Sequence, residues 1–361
     1  MAEPQSRRSR GLGRLDALPR ARLGHAPTPL EAMPNLTARI GGARLAVKRD
    51  DCTGLALGGN KVRQLEFYLG EARARGADTV LITGAVQSNF ARLAAAAARR
   101  LAMDCHIQLE ERVPETDPAY RNSGNVLLDR LLGATLHSYP EGEDEVGADR
   151  RLSEIAAELE ARGRRPYVIP LAPEHKPLGA LGYVAAAEEL LTQMGEQGAA
   201  FDEVVVPSGS GNTHAGLLFG LRALGSHIRV TGICVRREAA AQGPRIAKRC
   251  QAIADLLGLD STVEDDDIVL DDRFLPPGYG RLNDATLAAM RTAAACEGLI
   301  LDPVYSGKAM AGFLARARAG EGGEAGGVGG VGGAGRALLF LHTGGAPATF
   351  AYAAALNDAL A

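Results

Sequence analysis

The sequence predicts an α/β protein built on two open, twisted, mostly parallel sheets flanked by helices, with a cleft between the sheets. Three features point there. Short runs rich in β-branched residues alternate with helical patterns of about ten residues or more, which is the spacing of βαβ units rather than hairpins. Glycine-rich turns stand where strands hand over to helices, at 58–61, 208–216 and 343–345. The chain has 361 residues and 46% hydrophobic content, enough to form two lobes.

Residues 1–24 are basic, small and unpatterned, and read as a solvated, disordered tail. From Thr28 a loop and short helix lead to a strand at 44–47. Val62, Leu65, Phe67, Tyr68 and Leu69 then make an amphipathic helix ending at Gly76. A β-branched strand at 79–83 precedes an alanine-rich helix over 88–101. Strand 105–109, helix 122–132, strand 134–138, helix 150–162 and strand 167–170 continue the alternation. A long helix opens at Gly179, followed by strand 203–207, helix 211–224 and strand 230–234. Helices are expected near 240–258 and 282–297. The run 320–335 is dominated by glycine and reads as a low-complexity surface loop. Strand 337–341 and a helix from Pro347 finish the chain.

Composition narrows the function classes. A net charge of −3 offers no strong field for nucleic acid or an anionic membrane. No apolar run approaches the length of a membrane span. Arg7, Arg8 and Arg10 have no apolar segment behind them, as a secretory signal would, and no aromatic partners, as a nucleic-acid arm would. The cysteines (Cys52, Cys105, Cys234, Cys250 and Cys296) are scattered and odd in number, which fits a reduced, cytoplasmic protein. The histidines show no metal-ligand spacing with them, so no metal is expected.

Five lysines stand in the chain, at 48, 61, 176, 248 and 308. Lys61 follows Gly58, Gly59 and Asn60 on the first turn of its helix. An ammonium there faces the positive end of the helix dipole, which favours the neutral amine that a Schiff-base nucleophile needs. A second turn, Ser208, Gly209, Ser210, Gly211, Asn212 and Thr213, joins a strand to a helix. Its backbone N–H groups, with the Ser210 and Thr213 hydroxyls, suit a phosphate dianion. No Gly-Lys-Ser/Thr follows, and His214 takes the third glycine's place of the dinucleotide fingerprint, so a monophosphate without magnesium is expected. At Gln87, Ser88, Asn89 and Phe90 a helix cap offers N–H groups and a hydroxyl to a carboxylate, and Ser88 is also placed to handle protons; simple capping explains the same residues. Tyr279 and Tyr305 stand on glycine-bounded loops, as acid, base or stacking wall, or as packing. Thr343 lies where the last strand ends. One amine, one monophosphate cradle and one carboxylate cap, all on strand-to-helix turns, suggest pyridoxal 5'-phosphate chemistry.

These residues resemble the D-cysteine desulfhydrase family, the branch of fold-type II pyridoxal-phosphate enzymes that includes L-cysteate sulfo-lyase and 1-aminocyclopropane-1-carboxylate deaminase. The likeness runs from about Leu23 to Tyr352. It is carried by the Lys48 to Lys61 stretch, Gln87-Ser88-Asn89, Gly124-Asn125 through Asp129, Gly179 through Val184, the 208–216 turn, Asp302 through Tyr305, and His342 through Gly345. It implies a fold like that of the tryptophan synthase β chain. The large, cofactor-binding domain would be 25–63 with 177–361, and the small domain 64–176. By position it implies Lys61 as Schiff-base lysine and proton carrier, Asn60 and residues 208–213 around the phosphate, Asn89 at the cofactor ring oxygen, and Thr343 at the pyridine nitrogen. It further implies Ser88, Tyr279 and Tyr305 as catalytic residues that, with Asn89 and Phe90, line the substrate site.

Three positions depart from the family pattern. Phe90 replaces the histidine of desulfhydrases and the glutamine of deaminases. Asn212 stands where glycine or alanine is common. Ser306 replaces the glutamate that follows the second tyrosine in cyclopropane deaminases, which argues against that activity. The expected function is α,β-elimination on a small β-substituted amino acid, with D-cysteine as default substrate and pyruvate, ammonia and the β-group as products. β-Replacement, a relative's substrate in an altered pocket, or a catalytically silent binding protein are the alternatives. A homodimer is implied by the resemblance alone.

Overall fold

A computed structural model of the protein describes residues 12, 14–114, 117–142, 144–170, 175–319 and 335–360. In chain order its strands are β1 (Leu30–Ala32), β2 (Arg44–Arg49), β3 (Thr79–Ala85), β4 (Asp104–Glu110), β5 (Thr135–Tyr139), β6 (Pro166–Ile169), β7 (Glu203–Ser208), β8 (Arg229–Cys234), β9 (Val269–Asp271) and β10 (Ala337–His342). They form two sheets, β1-β2-β10-β7-β8-β9 and β5-β4-β3-β6. Every pairing is parallel except β1 with β2. The chain is therefore α/β with two mostly parallel sheets flanked by helices, as its alternating pattern predicts.

Burial explains the strand sequences. All seven residues of β3 are buried, because helix Asn89–Arg100 covers one face of the smaller sheet and helix Glu145–Glu160 the other. A strand covered on both faces reads as a continuous apolar run rather than an alternation. Val80, Leu81 and Ile82 are each fully buried, worth about 1.5–3 kcal/mol apiece. In the larger sheet β7 is likewise enclosed, by helices Asn212–Ala223 and Ser306–Arg318. Helix Asn89–Arg100 owes its depth to size: Ala94, Ala95, Ala97 and Ala98 have no exposed surface, so the backbone lies close to β3, β4 and helix Lys61–Ala74.

The topology places the functional turns. From β7 the chain moves outward through β8 and β9, then returns as β10 on the other side of β7. Ligands bind at the carboxyl ends of strands where the direction of winding reverses in this way. Register aligns Ser208 with Cys234, and His342 with Arg49, so β2, β10 and β7 deliver the 58–61, 343–345 and 208–213 turns to one edge. β3 ends just before Gln87 in the other sheet.

Several expectations change. Residues 14–24 are packed rather than solvated: Leu15, Ala21 and Leu23 are buried, and Glu66 accepts from the N–H groups of Leu23 (3.0 Å) and Gly24 (3.2 Å) and from Arg20 Nε (2.7 Å). Apolar residues spaced through an arginine-rich stretch hide this docking. The helix expected at 122–132 is two, Pro118–Asn122 and Gly124–Leu131, interrupted where Ser123 is extended at φ −117°, ψ −173°. Helix Ser306–Arg318 is additional to the expected elements, although Met310, Phe313 and Leu314 recur at helical spacing. β1 and β9 are too short, at three residues each, to show a period. The glycine-rich stretch lies outside the described residues except for Gly335. Among the described residues no helix is long and apolar enough to cross a membrane, and no cluster of side chains could hold a metal ion.

Candidate active site

Lys61 is the first residue of helix Lys61–Ala74, and the turn before it is locked to the end of β10. A Cβ added to Gly344 would lie 2.7 Å from Gly59 Cα, an approach that only glycines allow. Asn60 N–H donates to Thr343 O at 3.0 Å. Asn60 Nδ2 donates to Thr213 Oγ1 at 2.9 Å, and Gln64 Nε2 donates to the same oxygen at 3.0 Å. Lys61 Nζ, half-buried, donates to Gln64 Oε1 at 3.3 Å and sits 5.0 Å from the centroid of the Phe90 ring. Lys61 thus joins the phosphate-type turn of one sheet to the Gln87–Phe90 turn of the other.

Burial, and to a lesser extent the nearby Arg249 charge, lower the Lys61 pKa to about 8. The sequence points to a depressed pKa through the helix dipole; the direction is the same here, but desolvation is the chief cause. The amine is consequently neutral in a large fraction of molecules near pH 8, the state a nucleophile needs.

The 208–213 turn has the chemistry of an anion cradle. Gly211 takes φ +93° at the start of helix Asn212–Ala223, whose first-turn N–H groups have no partner within the helix. With two donors already aimed at its oxygen, Thr213 keeps its own hydroxyl hydrogen for a third group, and among the described residues it donates to none. Arg249 Nε lies 3.9 Å from where a Cβ on Gly211 would be. This donor set fits a phosphate dianion. Ser208 points elsewhere: its hydroxyl accepts from Gln242 Nε2 at 3.0 Å and meets His214 Nδ1 at 3.2 Å. It shapes the turn from below. Burial pushes His214 down to about 4, so it stays neutral. Ser210 is half-buried and Asn212 buried against Tyr68 and Gly179.

Gly209 lies beside Tyr305, whose Cε1 would be 3.5 Å from an added Cβ. Tyr305 and Tyr279 share a 2.7 Å hydroxyl–hydroxyl bond. Burial raises both phenols above their ordinary value, Tyr305 well above it, so both are protonated at neutral pH. Lys308 secures the Tyr279 loop by donating to Leu275 O (2.7 Å) and Gly278 O (2.8 Å). Ser306 is held by Asp302, its hydroxyl donating to Oδ1 at 2.6 Å.

On the other side, Ser88 caps helix Asn89–Arg100 by accepting from Ala91 N–H at 3.2 Å. Asn89 Oδ1 accepts from Asn125 Nδ2 at 2.9 Å. Phe90 is buried against Tyr68, ring centroids 6.3 Å apart, and against Lys61. The sequence gives no role to Gln64, Arg92 or Arg249, nor to Asn125 and Lys308, which enter it only within the 124–129 motif and among the five lysines. Gln64, three residues beyond Lys61 and so on the same helix face, is the one within reach of a spacing argument.

A family model described as pyridoxal-phosphate dependent enzyme matches residues 21–328. This chain belongs to that family, and its cofactor is pyridoxal phosphate. Within it, the chain is 42% identical to a D-cysteine desulfhydrase of Salmonella choleraesuis (strain SC-B67) over 94% of its own length and 98% of the relative's. It is 39% identical to a 1-aminocyclopropane-1-carboxylate deaminase of Burkholderia ambifaria (strain MC40-6), with the same coverage. A crystal structure of an ACC deaminase homologue superposes with TM-score 0.84, at 36% identity and 99% coverage of both chains. A threonine deaminase of known crystal structure shares the fold at TM-score 0.60 and 21% identity, covering 95% of this chain and 98% of that one. The chain is thus a member of the branch that holds D-cysteine desulfhydrases and the cyclopropane deaminases.

Proposed function

We propose that this protein is a lyase that carries out α,β-elimination on a small β-substituted amino acid, D-cysteine first among candidates, releasing pyruvate, ammonia and the β-group. The observation that carries the reading is the Asn60–Thr213 bond, which sets a Lys61 amine of lowered pKa beside an anion-binding helix start. When bound, pyridoxal phosphate supplies the electron sink that lets a Cα proton and a β-substituent depart. Lys61 would anchor the cofactor and would hold the proton at Cα. The N–H groups that open helix Asn212–Ala223, with the Ser210 and Thr213 hydroxyls, bind the phosphate, Asn60 orienting Thr213. Asn89 would hold the cofactor ring and Thr343 its pyridine nitrogen. Ser88 and the N–H groups beside it take the substrate carboxylate, and Phe90 gives that side an apolar wall. Tyr305 and Tyr279, protonated at neutral pH, offer a proton to the departing β-group. Ser306 leaves no carboxylate after Tyr305, which favours desulfhydrase over cyclopropane-deaminase chemistry.

The reading divides the chain into a cofactor-binding lobe of 25–63 with 177–361 and a smaller lobe of 64–176, the site lying between them. It also makes the protein a cytoplasmic homodimer, in keeping with five free thiols; light scattering of the purified protein tests the dimer. The test of function is the visible absorption of the purified protein before and after D-cysteine, with pyruvate and sulfide assayed. Lys61→Ala is expected to lower turnover by on the order of 10²–10⁴-fold and to abolish borohydride fixation of the cofactor. A cofactor band that ignores D-cysteine, with no pyruvate formed, would overturn the substrate; no band after reconstitution would overturn the mechanism.

A further inference from the structure

We infer that Asn125 is a positioning residue that fixes which way the Asn89 amide faces, so that the N–H side of Asn89 is presented to the cofactor. The inference rests on the proposed placement of the cofactor beside Asn89.

The direction follows from groups that have no choice of role. Arg92 is fully buried and can only donate. Its Nη2 donates to Gly58 O at 2.8 Å, and its Nη1 to Asn125 at 3.2 Å, so the Asn125 atom it meets is Oδ1. Asn125 Nδ2 then points the opposite way, to Gln87 O at 3.1 Å, a backbone carbonyl that can only accept. Asn125 cannot turn over without setting N–H against guanidinium and carbonyl against carbonyl. It is also held by its backbone N–H, which donates to Gln87 Oε1 at 2.9 Å. Gln87 is fixed in turn, because its Nε2 donates to Tyr120 O (2.6 Å) and Ser123 O (3.1 Å).

The second hydrogen of Asn125 Nδ2 reaches Asn89 at 2.9 Å. The Asn89 atom facing it must accept, and is Oδ1. Asn89 Nδ2 therefore points away from the network, and among the described residues no acceptor meets it. An amide N–H pair held in that direction stabilises an ionised ring oxygen over a protonated one, whereas the flipped amide would oppose ionisation. Arg92 gives the arrangement a second use: through Gly58 O it ties the turn before Lys61 to the same network, so the amine and the amide are held in one frame.

Asn125→Asp tests this, since a carboxylate still accepts from Arg92 but cannot donate to Asn89. Asn89 must then turn and donate to it, presenting Oδ1 to the cofactor. In the reconstituted holoenzyme the pH is followed at which the cofactor's long-wavelength band gives way to its shorter-wavelength band, through loss of the proton shared between the Lys61 nitrogen and the ring oxygen; a ring oxygen that loses a donor holds that proton more tightly. The transition is expected to rise by about one to two pH units in Asn125→Asp, the size of a lost charge-assisted hydrogen bond. Asn89→Ala should move it in the same direction, and the double variant no further than the larger single change. Asn125→Ser, which removes the contact without adding charge, should give a smaller rise and serves if the aspartate variant does not fold. If Asn89→Ala moves the transition while both Asn125 variants leave it unchanged, the positioning role is overturned and the cofactor placement survives. If Asn89→Ala does not move it either, the cofactor does not lie beside Asn89, and the placement itself fails.

Discussion

The two turns proposed to hold ligand, 208–213 in the larger sheet and 87–90 in the smaller, are both strand-to-helix passages, yet different parts of the molecule hold them. The 208–213 turn takes its shape from its own backbone, with a left-handed Gly211 at the start of the helix, and distant side chains only brace it, Asn60 and Gln64 at Thr213 and Gln242 at Ser208. The 87–90 turn is held by side chains from elsewhere. Asn125 bonds Gln87 and Asn89 from about 36 residues away in sequence, and Arg92 links the network to the Gly58 turn. A turn specified locally keeps its shape when its surroundings change. One specified by a distant amide network moves when any member is lost, and its donor and acceptor directions are set as a group.

The largest expected effect breaks the second turn. Arg92→Met leaves Gly58 O and Asn125 Oδ1 buried without their donor, at about 1–3 kcal/mol each. Urea unfolding should show a loss of roughly 2–5 kcal/mol, and holoenzyme assembly should suffer because the Lys61 turn is released too. A loss indistinguishable from zero would mean that the network does not hold the turn.

An intermediate effect breaks the first turn. Gly211→Ala places a Cβ at φ +93° and 3.1 Å from Ile246 Cδ1, a strain of about 1–2 kcal/mol. Pyridoxal phosphate should bind about tenfold more weakly, by fluorescence titration of the apoprotein, while the Asn89 side is unaffected. If the spectral transition governed by Asn89 moved as well, the two turns would not be independent.

The smallest effect concerns Phe90, where the turns meet. In the proposed function only the neutral Lys61 amine attacks the cofactor, and its pKa lies at about 8. Borohydride-fixable attachment should therefore slow about tenfold per pH unit below that value and level off above it. The Phe90 ring, 5.0 Å from Nζ, favours the ammonium. Phe90→Leu should lower the midpoint by roughly half a unit to one unit, and an unchanged midpoint would remove the ring from the account. The same shift has a stability sign. The folded pKa lies below the ordinary 10.5, so charged Lys61 opposes folding of the apoprotein below about pH 8. That opposition fades as pH rises towards 10.5.

Features that depend on neighbours along the chain were legible before any fold was in view. Alternating β-branched and helical runs specify α/β layering. Gly58 and Gly59 before Lys61, and the glycines from 209 to 211, announce close backbone approach, because only glycine permits it. Other features exist only once distant segments pack together. Arg92 in an alanine-rich helix and Asn125 at the start of a short one carry no local signal of their joint role, since a hydrogen bond's direction depends on which partner cannot reverse. The docking of residues 14–24 onto Glu66 was equally hidden, because charge pattern marks a segment as basic but not whether a buried carboxylate awaits it. The depressed Lys61 pKa was legible in direction, from its place on the helix. Its larger cause was not, because desolvation is a property of everything packed around the amine rather than of the residues beside it in sequence.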